Sequence, residues 1–454
     1  MEPPPSPDPE RPGGPRSRRR FLRDGLVLGG AVAAGGLVLD LTGCSSTPPP
    51  GDASTPTSTG SSRGTGSAPT SAAPTTSGSA RVAVGPRDVL LALSAATGPV
   101  TADAAVREAC ARLDWSWLDR GDSVFVKLAS NSPHAHPSVT SPAAVRGLVA
   151  ELHDRGAGRV IVGDQAGVEY VRLVADGRRF GSTIDCLRSN GLHEAIVSAG
   201  AEPHAFDDHD FRTGYFEATP PPGSHWTQPL ALPTVLRDVD HVVYLPRISA
   251  HAIAGYTAGH KVSIGWLRDD SRNHVHSDAA SFYEKYTEVN YVPELRDRFR
   301  LALVLGEQLL LHFGPDINGT VVSADPRLIL ASADLASLDA VMSGLLVHLD
   351  ETTPPAPGVV PYRAATANAV NRAFVTTYVQ AKTNIPWGPA TAADYQPLTA
   401  HAFEHGVSDD RCLARAWAIT GRPDAVRVVS QGAALDPELA AAVTAHGEGM
   451  LSFA

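Results

Sequence analysis

Two apolar periods alternate along the folded part of the chain. "SVFVKLA" (Ser123 to Ala129) is a short β-branched run that ends in polar residues, as a buried strand does. In "TSPAAVRGLVAELHDRGA", Val145, Leu148, Val149 and Leu152 recur at i, i+3, i+4 and i+7, which predicts a helix capped by Ser141, with Pro142 in its first position and Gly156 as its stop. "RVIVGDQ" (Arg159 to Gln165) predicts the next strand, parallel to the first because a helical crossover joins them. The alternation continues with a helical stretch around Ser182 to Gly200, a strand near Pro203 to Phe206 and a strong strand in "HVVYLPRI" (His241 to Ile248). A long amphipathic helix is expected from about Glu294 to Phe313. Beyond it, "NGTVVSADPRLILASAD" reads as a turn at Asn318-Gly319 with one or two strands, and "ASLDAVMSGLLVHL" as a helix. The pattern predicts an α/β fold, a largely parallel sheet flanked by helices, with a mostly helical C-terminal region.

The N-terminal segment follows another logic. "SRRRFLR" (Ser17 to Arg23) has the form of a twin-arginine export signal, and the apolar run Gly25 to Leu39 is shorter than the roughly 20 residues a membrane span needs. "LTGC" then ends in Cys44 in the manner of a bacterial lipobox, so lipidation of Cys44 is expected. Ser, Thr, Pro, Gly and Ala dominate to about Ala80 and cannot bury enough surface to offset the entropy of ordering. The expected organisation is a lipoprotein signal peptide over 1–43, a disordered stalk over 44–81, an α/β domain over 82–350 and a helical extension over 351–454 packed on it. Its expected partners are the twin-arginine translocase during export and, through the lipid on Cys44, the extracytoplasmic face of the cell membrane.

A formal charge of -10, with no basic cluster outside the signal, argues against nucleic acid. Cys110, Cys186 and Cys412 fall in no C-x-x-C, so no iron–sulfur cluster is expected and buried apolar roles fit all three. There is no G-x-S-x-G, H-E-x-x-H or P-loop in the folded region, which sets aside the common serine hydrolases, zincins and nucleotide hydrolases.

In open parallel sheets the ligand site lies beyond the carboxyl ends of the strands. That rule gathers Lys127 and Asn131 after the first strand, Asp164 at the end of the second, and Arg247, His251, Thr257, His260 and Lys261 after "HVVYLP". Arginine is this chain's default cation: the sequence holds only four lysines, Lys127, Lys261, Lys285 and Lys382.

"VFVKLASNSPHAHPSVTSPAAVRGLVAELHDRGAGRVIVGDQAG", "VVYLPRISAHAIAGYTAGHKVSIG" and "LILASADLASLDAVMSGLL" resemble, in order and pattern, the domain-of-unknown-function family 362, over roughly Asp88 to Leu349. The resemblance implies an α/β domain with a shared polar site and no agreed reaction. It places the family's first-strand lysine on Lys127, its glycine-aspartate strand end on Gly163-Asp164, its proline-to-histidine segment on Pro246 to His251, its lysine-x-x-x-glycine on Lys261 and Gly265, and its late aspartate on Asp339. This chain departs from the family at Leu128, Ala129, Arg247, Ser249 and Val262, and lacks the ferredoxin-like cysteine cluster of some members.

Two chemistries fit these residues. A lysine among loop amides holds a carboxylate or phosphate, or serves as a base when its pKa is lowered; the plain alternative pairs it with an acid such as Asp164. Asp164 itself reads as a ligand, a base or a helix cap, and Asp339, in an apolar helix, as a group bonded to a loop or lysine of the site. His134 and His136, His251 and His260, and the pair in "NHVHSD" have spacings compatible with a divalent metal, His251 with His260 above the rest. The expected function is a pocket of Lys127, Asp164, His251, His260 and Lys261 for a small anionic molecule, with Asn131, Arg247, Thr257 and Asp339 as further contacts and metal-assisted acid–base chemistry as its enzymatic form. The alternative is a non-catalytic lipoprotein that binds a metal or an anionic solute for another envelope protein.

Overall fold

The computed structural model describes residues 83–94, 101–251, 253–316, 319–359 and 406–454. The expected signal peptide, Cys44, the stalk and Asn318 lie outside the described residues. Among those described, no helix is long and apolar enough to cross a membrane.

The first half comprises β1 (Val89–Ser94), α1 (Ala102–Cys110), β2 (Ser123–Leu128), α2 (Pro142–Asp154), β3 (Arg159–Asp164), a ribbon of β4 (Arg172–Leu173) and β5 (Arg179–Phe180), α3 (Thr183–Ser189), α4 (Leu192–Ser198) and β6 (Glu202–Ala205). A second ribbon, β7 (Tyr215–Ala218) with β8 (Leu230–Pro233), leads to β9 (His241–Leu245), the hairpin β10 (Ser249–His251) and β11 (Gly255–Thr257), and a 3-10 helix over His260–Trp266. Then follow α5 (Asp269–His276), α6 (Phe282–Val289), α7 (Pro293–Arg296), β12 (Phe299–Leu311), β13 (Thr320–Ser332) and α8 (Leu335–Thr352). The last described stretch holds α9 (Arg411–Thr420), β14 (Val426–Gly432), α10 (Pro437–His446) and β15 (Leu451–Phe453).

The main sheet is 11-stranded and runs β15-β14-β1-β13-β12-β9-β2-β3-β6, with the β10–β11 hairpin joined at β12. Its pairings are parallel except where β13 meets β1 and β12, and within the hairpin. Strand alternation divides the interior into two cores: Val124, Val126, Val160 and Val162 face one, and Phe125 and Ile161 face the other. The first is covered by α1, α2 and α4 through Val106, Leu148, Leu152 and Ile196. The second is covered by α5, α6, α8 and α9 through Val275, Phe282, Leu338, Val341 and Trp417.

Most expected elements are present within a residue or two. The helix expected over Glu294 to Phe313 is instead a single turn, α7, followed by the central strand β12. A strand buried on both faces carries a continuous apolar run, and such a run has no period that separates it from a buried helix. Its alternation emerges only with the neighbours in place: Leu301, Leu303 and Leu305 join one core, Ala302 and Val304 the other. The C-terminal region does supply helices, α9 and α10, and also two strands, β14 and β15, which extend the sheet beside β1.

Ser141 caps α2 as expected: its Oγ accepts from the N–H groups of Ala143 and Ala144 while its hydroxyl donates to Glu307 of β12. Ser141→Ala is expected to lower unfolding stability by ~1–2 kcal/mol in urea titration, and an unchanged midpoint would show that the cap contributes nothing.

Candidate functional site

At the carboxyl ends of β2, β3 and β9 the chain closes around a cavity of ≈ 150 Å³. A buried ion pair lies behind one of its lining residues, Asp164. Lys127, near the end of β2, places its ammonium 2.5 Å from Asp164 Oδ1, 2.8 Å from the Leu128 carbonyl and 3.1 Å from the Val262 carbonyl. Three acceptors satisfy its three N–H donors. Asp164 accepts in addition from the N–H of Gln165 at 2.8 Å and of Ser130 at 2.7 Å. Burial pulls Lys127 down to about 8, against the attraction of Asp164. The pair is thus a structural knot that ties two strand ends to the 3-10 helix.

Gly265 explains the lysine-x-x-x-glycine spacing. A Cβ built there would collide with Asp164 Oδ1 and Lys127 Nζ, so only glycine lets the 3-10 helix lie against the pair.

Lys261 stands on that same 3-10 helix, half-buried at the cavity wall. Among the described residues it has no hydrogen bond or ion pair, and its ammonium lies 5.9 Å from each of the Phe282 and Tyr286 rings. Burial, then the charges of Arg247, Arg272 and Lys127, pull its pKa down to about 7. Arg247 is buried and donates to the Pro137 carbonyl at 2.8 Å and to Asn131 Oδ1 at 3.0 Å. Arg272, equally buried, donates to the carbonyls of Ala166, Gln165, Gly265 and Leu267. Neither guanidinium has a carboxylate at ion-pair distance among the described residues. Thr257 also lines the cavity, and its hydroxyl has no hydrogen-bond partner among them.

His251 lines the cavity in a fixed form. Its Nδ1 accepts from the N–H groups of Ile253 at 3.1 Å and Ala254 at 3.2 Å, so the proton sits on Nε2. Burial, followed by Lys261 and Arg247, holds it well below its ordinary pKa, as a neutral ring. A ligating imidazole donates its other N–H to an acceptor, and here that nitrogen faces two donors. His251 therefore does not fit the metal role expected of it; it offers an N–H.

His260 points elsewhere. It is fully buried, with Nδ1 2.8 Å from Asp339 Oδ2 and Nε2 2.9 Å from the Tyr291 hydroxyl, and it does not line the cavity. Burial works against its charge, but Tyr291, Cys412 and the bond to Asp339 raise it well above its ordinary pKa. Asp339 also accepts from the N–H groups of Gly259 and His260, at 2.6 and 3.0 Å, so it clasps the loop from α8 without facing the cavity. Cys412 of α9 completes this cluster: the ligating atoms of His260, Asp339 and Cys412 lie within 4.8 Å of one another and could hold a metal ion. Cysteine spacing gave no sign of this, since Cys412 lies 73 positions beyond Asp339.

His134 and His136 share no site. His134 Nε2 lies 3.6 Å from Asp316, while His136 Nδ1 donates to the Val139 carbonyl at 2.9 Å. His274 and His276 sit on α5, where residues two apart diverge. His276 enters the cavity wall with Nδ1 donating to the Arg272 carbonyl at 2.7 Å; His274 lies beside Trp226, ring centroids 5.3 Å apart. Arg272 was a contributor that sequence reasoning missed, and His276, expected only as half of a metal pair, enters as a wall residue instead. Their signal was the i,i+4 spacing, hidden among many arginines.

Residues 124–344 match the family described as domain of unknown function (DUF362), and the chain carries a domain of that family. No curated protein matches the chain. Among solved structures, the lactate racemase apoprotein from Thermoanaerobacterium thermosaccharolyticum is similar at 12% identity and a TM-score of 0.36, covering 56% of this chain and 56% of its own. A protein from Thermotoga maritima is similar at 10% identity and a TM-score of 0.38, covering 79% of this chain and 92% of its own.

Two outcomes follow from this geometry. Gly265→Ala drives a methyl into the buried pair and is expected to cost ~3 kcal/mol or more; denaturation indistinguishable from the parent would mean the contact relaxes freely. For Lys261, the folded-state pKa of about 7 lies below its ordinary 10.5, so between those values the unfolded chain binds more protons and stability rises with pH. Lys261→Met removes that slope: urea titrations should find it more stable than the parent near pH 7, with the difference closing toward about pH 10. A gap that does not change with pH would overturn this account.

Proposed function

We propose that the DUF362 domain of this chain binds a small anionic molecule, a carboxylate of a few carbons or a group of similar size and charge, and exchanges a proton with it through Lys261. One observation carries the reading: Arg247, Arg272 and Lys261 converge on one cavity without a carboxylate at ion-pair distance among the described residues. Cations gathered in a poorly hydrated place repel one another, and an anion relieves the repulsion. A cavity of ≈ 150 Å³ suits a ligand of about benzene's size. The Nε2–H of His251 supplies a neutral donor and Thr257 a hydroxyl. With a pKa of about 7, Lys261 is partly neutral near physiological pH, which is the condition for a general base.

We further propose that this domain works on the extracytoplasmic face of a membrane. The support is the order of arginine pair, apolar run and Cys44 in the sequence. Export through the twin-arginine translocase and a lipid on Cys44 would supply the anchor.

A second reading is favoured by the cluster of His260, Asp339 and Cys412. Imidazole, carboxylate and thiolate together suit zinc, and buried ligands of this kind commonly serve a structural site. Metal measured on protein purified without chelators and lost in Cys412→Ser would support it. Metal-free protein that is fully folded would reduce the cluster to its hydrogen bonds.

For the principal reading, calorimetry with propionate and propionamide separates charge from shape. Propionate should bind and the amide should not, and Lys261→Ala or Arg247→Gln should weaken propionate about tenfold or more, the ~1.5–3 kcal/mol of a charged hydrogen bond. Equal binding of acid and amide would sink the proposal.

A further inference from the structure

Lys261 differs from the other lysines in what its nitrogen does. Lys127 is saturated by three acceptors, and Lys285 donates to Asp278 at 2.7 Å. Lys382 lies outside the described residues. Lys261 alone among the described lysines has neither a hydrogen bond nor an ion pair, and it lines the cavity with its ammonium 5.9 Å from each of two aromatic rings. A lysine held in a desolvated place beside other cations is an activated amine. A base used only to move protons needs no particular electrophile; an amine that shares its cavity with two guanidinium groups meets a ligand that carries a carboxylate close to its reactive carbon.

We infer that Lys261 is a nucleophile that condenses with the carbonyl carbon of a 2-oxo acid to form a protonated Schiff base. The inference rests on the anion-binding reading above and names its substrate class. In a 2-oxo acid the carboxylate and the electrophilic carbon are adjacent, so a carboxylate held by Arg247 and Arg272 brings the ketone to Lys261. The neutral amine attacks the carbonyl carbon. The new C–N bond forms as the carbonyl π electrons move to oxygen, which the Nε2–H of His251 stabilises by a hydrogen bond. That oxygen takes up two protons, the one the ammonium released to solvent before attack and one that the attached nitrogen loses, and leaves as water as the C=N bond closes. The overall change is one ammonium and one ketone to one iminium and one water, with no oxidant or reductant required. The iminium draws electrons from its neighbouring carbon, which is the use an enzyme makes of such an adduct.

The experiment treats the full chain with pyruvate and sodium borohydride, which delivers hydride to the iminium carbon and fixes the adduct as a secondary amine. Intact mass and peptide mapping should find one reduced pyruvyl group, on Lys261, and excess propionate should suppress it. Lys261→Arg keeps the positive charge and should still bind pyruvate in calorimetry, but form no adduct. Pyruvate bound by the parent without a trapped adduct overturns the Schiff base and leaves the anion site standing. Adduct of equal yield in Lys261→Arg overturns it as well, because the label is then elsewhere. Failure of both pyruvate and propionate to bind the parent removes the anion site and the inference with it.

Discussion

The site depends on a single ion pair with nowhere to go. Lys127 and Asp164 end adjacent parallel strands, and burial forbids either charge from standing alone. Each therefore recruits backbone: Asp164 takes N–H groups from the loops after β2 and β3, and Lys127 takes carbonyls from its own strand end and from the 3-10 helix. The loop that carries Lys261 is fixed in place by its neighbour Val262, through the Val262 carbonyl. Gly265 is the concession that lets the helix come near enough.

A second clasp holds the same loop from the opposite side. Asp339 of α8 receives Gly259, His260 N–H and the His260 ring, and α9 closes over it with Cys412 and with Asp410, which accepts from Tyr256 at 2.6 Å. Arg411 and Arg415 pair with Glu284 and Glu288 to bind α9 to α6. Residues beyond the matched family segment thus complete the packing of the loop that the family's own motifs define. The two lysines differ in what holds them: Lys127 is consumed by structure, and Lys261 has no hydrogen bond or ion pair among the described residues.

How much of this was readable in the sequence varied with the physics involved. The first βαβ unit, its cap and its strand ends were readable because local period and capping chemistry determine them. The rule that sites lie beyond strand ends gathered residues that meet at one cavity: Asn131, Asp164, Arg247, His251, Thr257 and Lys261 line it and Lys127 adjoins it through Asp164, while His260 lies outside it. Direction was not readable. His260 and Lys261 are adjacent in sequence and face different ways because a 3-10 helix turns by about a third of a circle per residue. Nor was the tautomer of His251, which two backbone N–H groups, two and three residues away, decide. β12 failed for a different reason: a strand buried on both faces has no polar side to reveal its period. Cys412 and Arg272 were invisible because only the tertiary fold brings them in.

The unmatched cations of the cavity have an effect that reaches past recognition. If the cavity binds an anion as proposed, its cations Arg247, Arg272 and Lys261, which have no carboxylate at ion-pair distance among the described residues, disfavour the folded state until the anion enters. Folding and ligand supply are then one equilibrium. The cavity would act as a gauge of solute availability as well as a place where solute is bound.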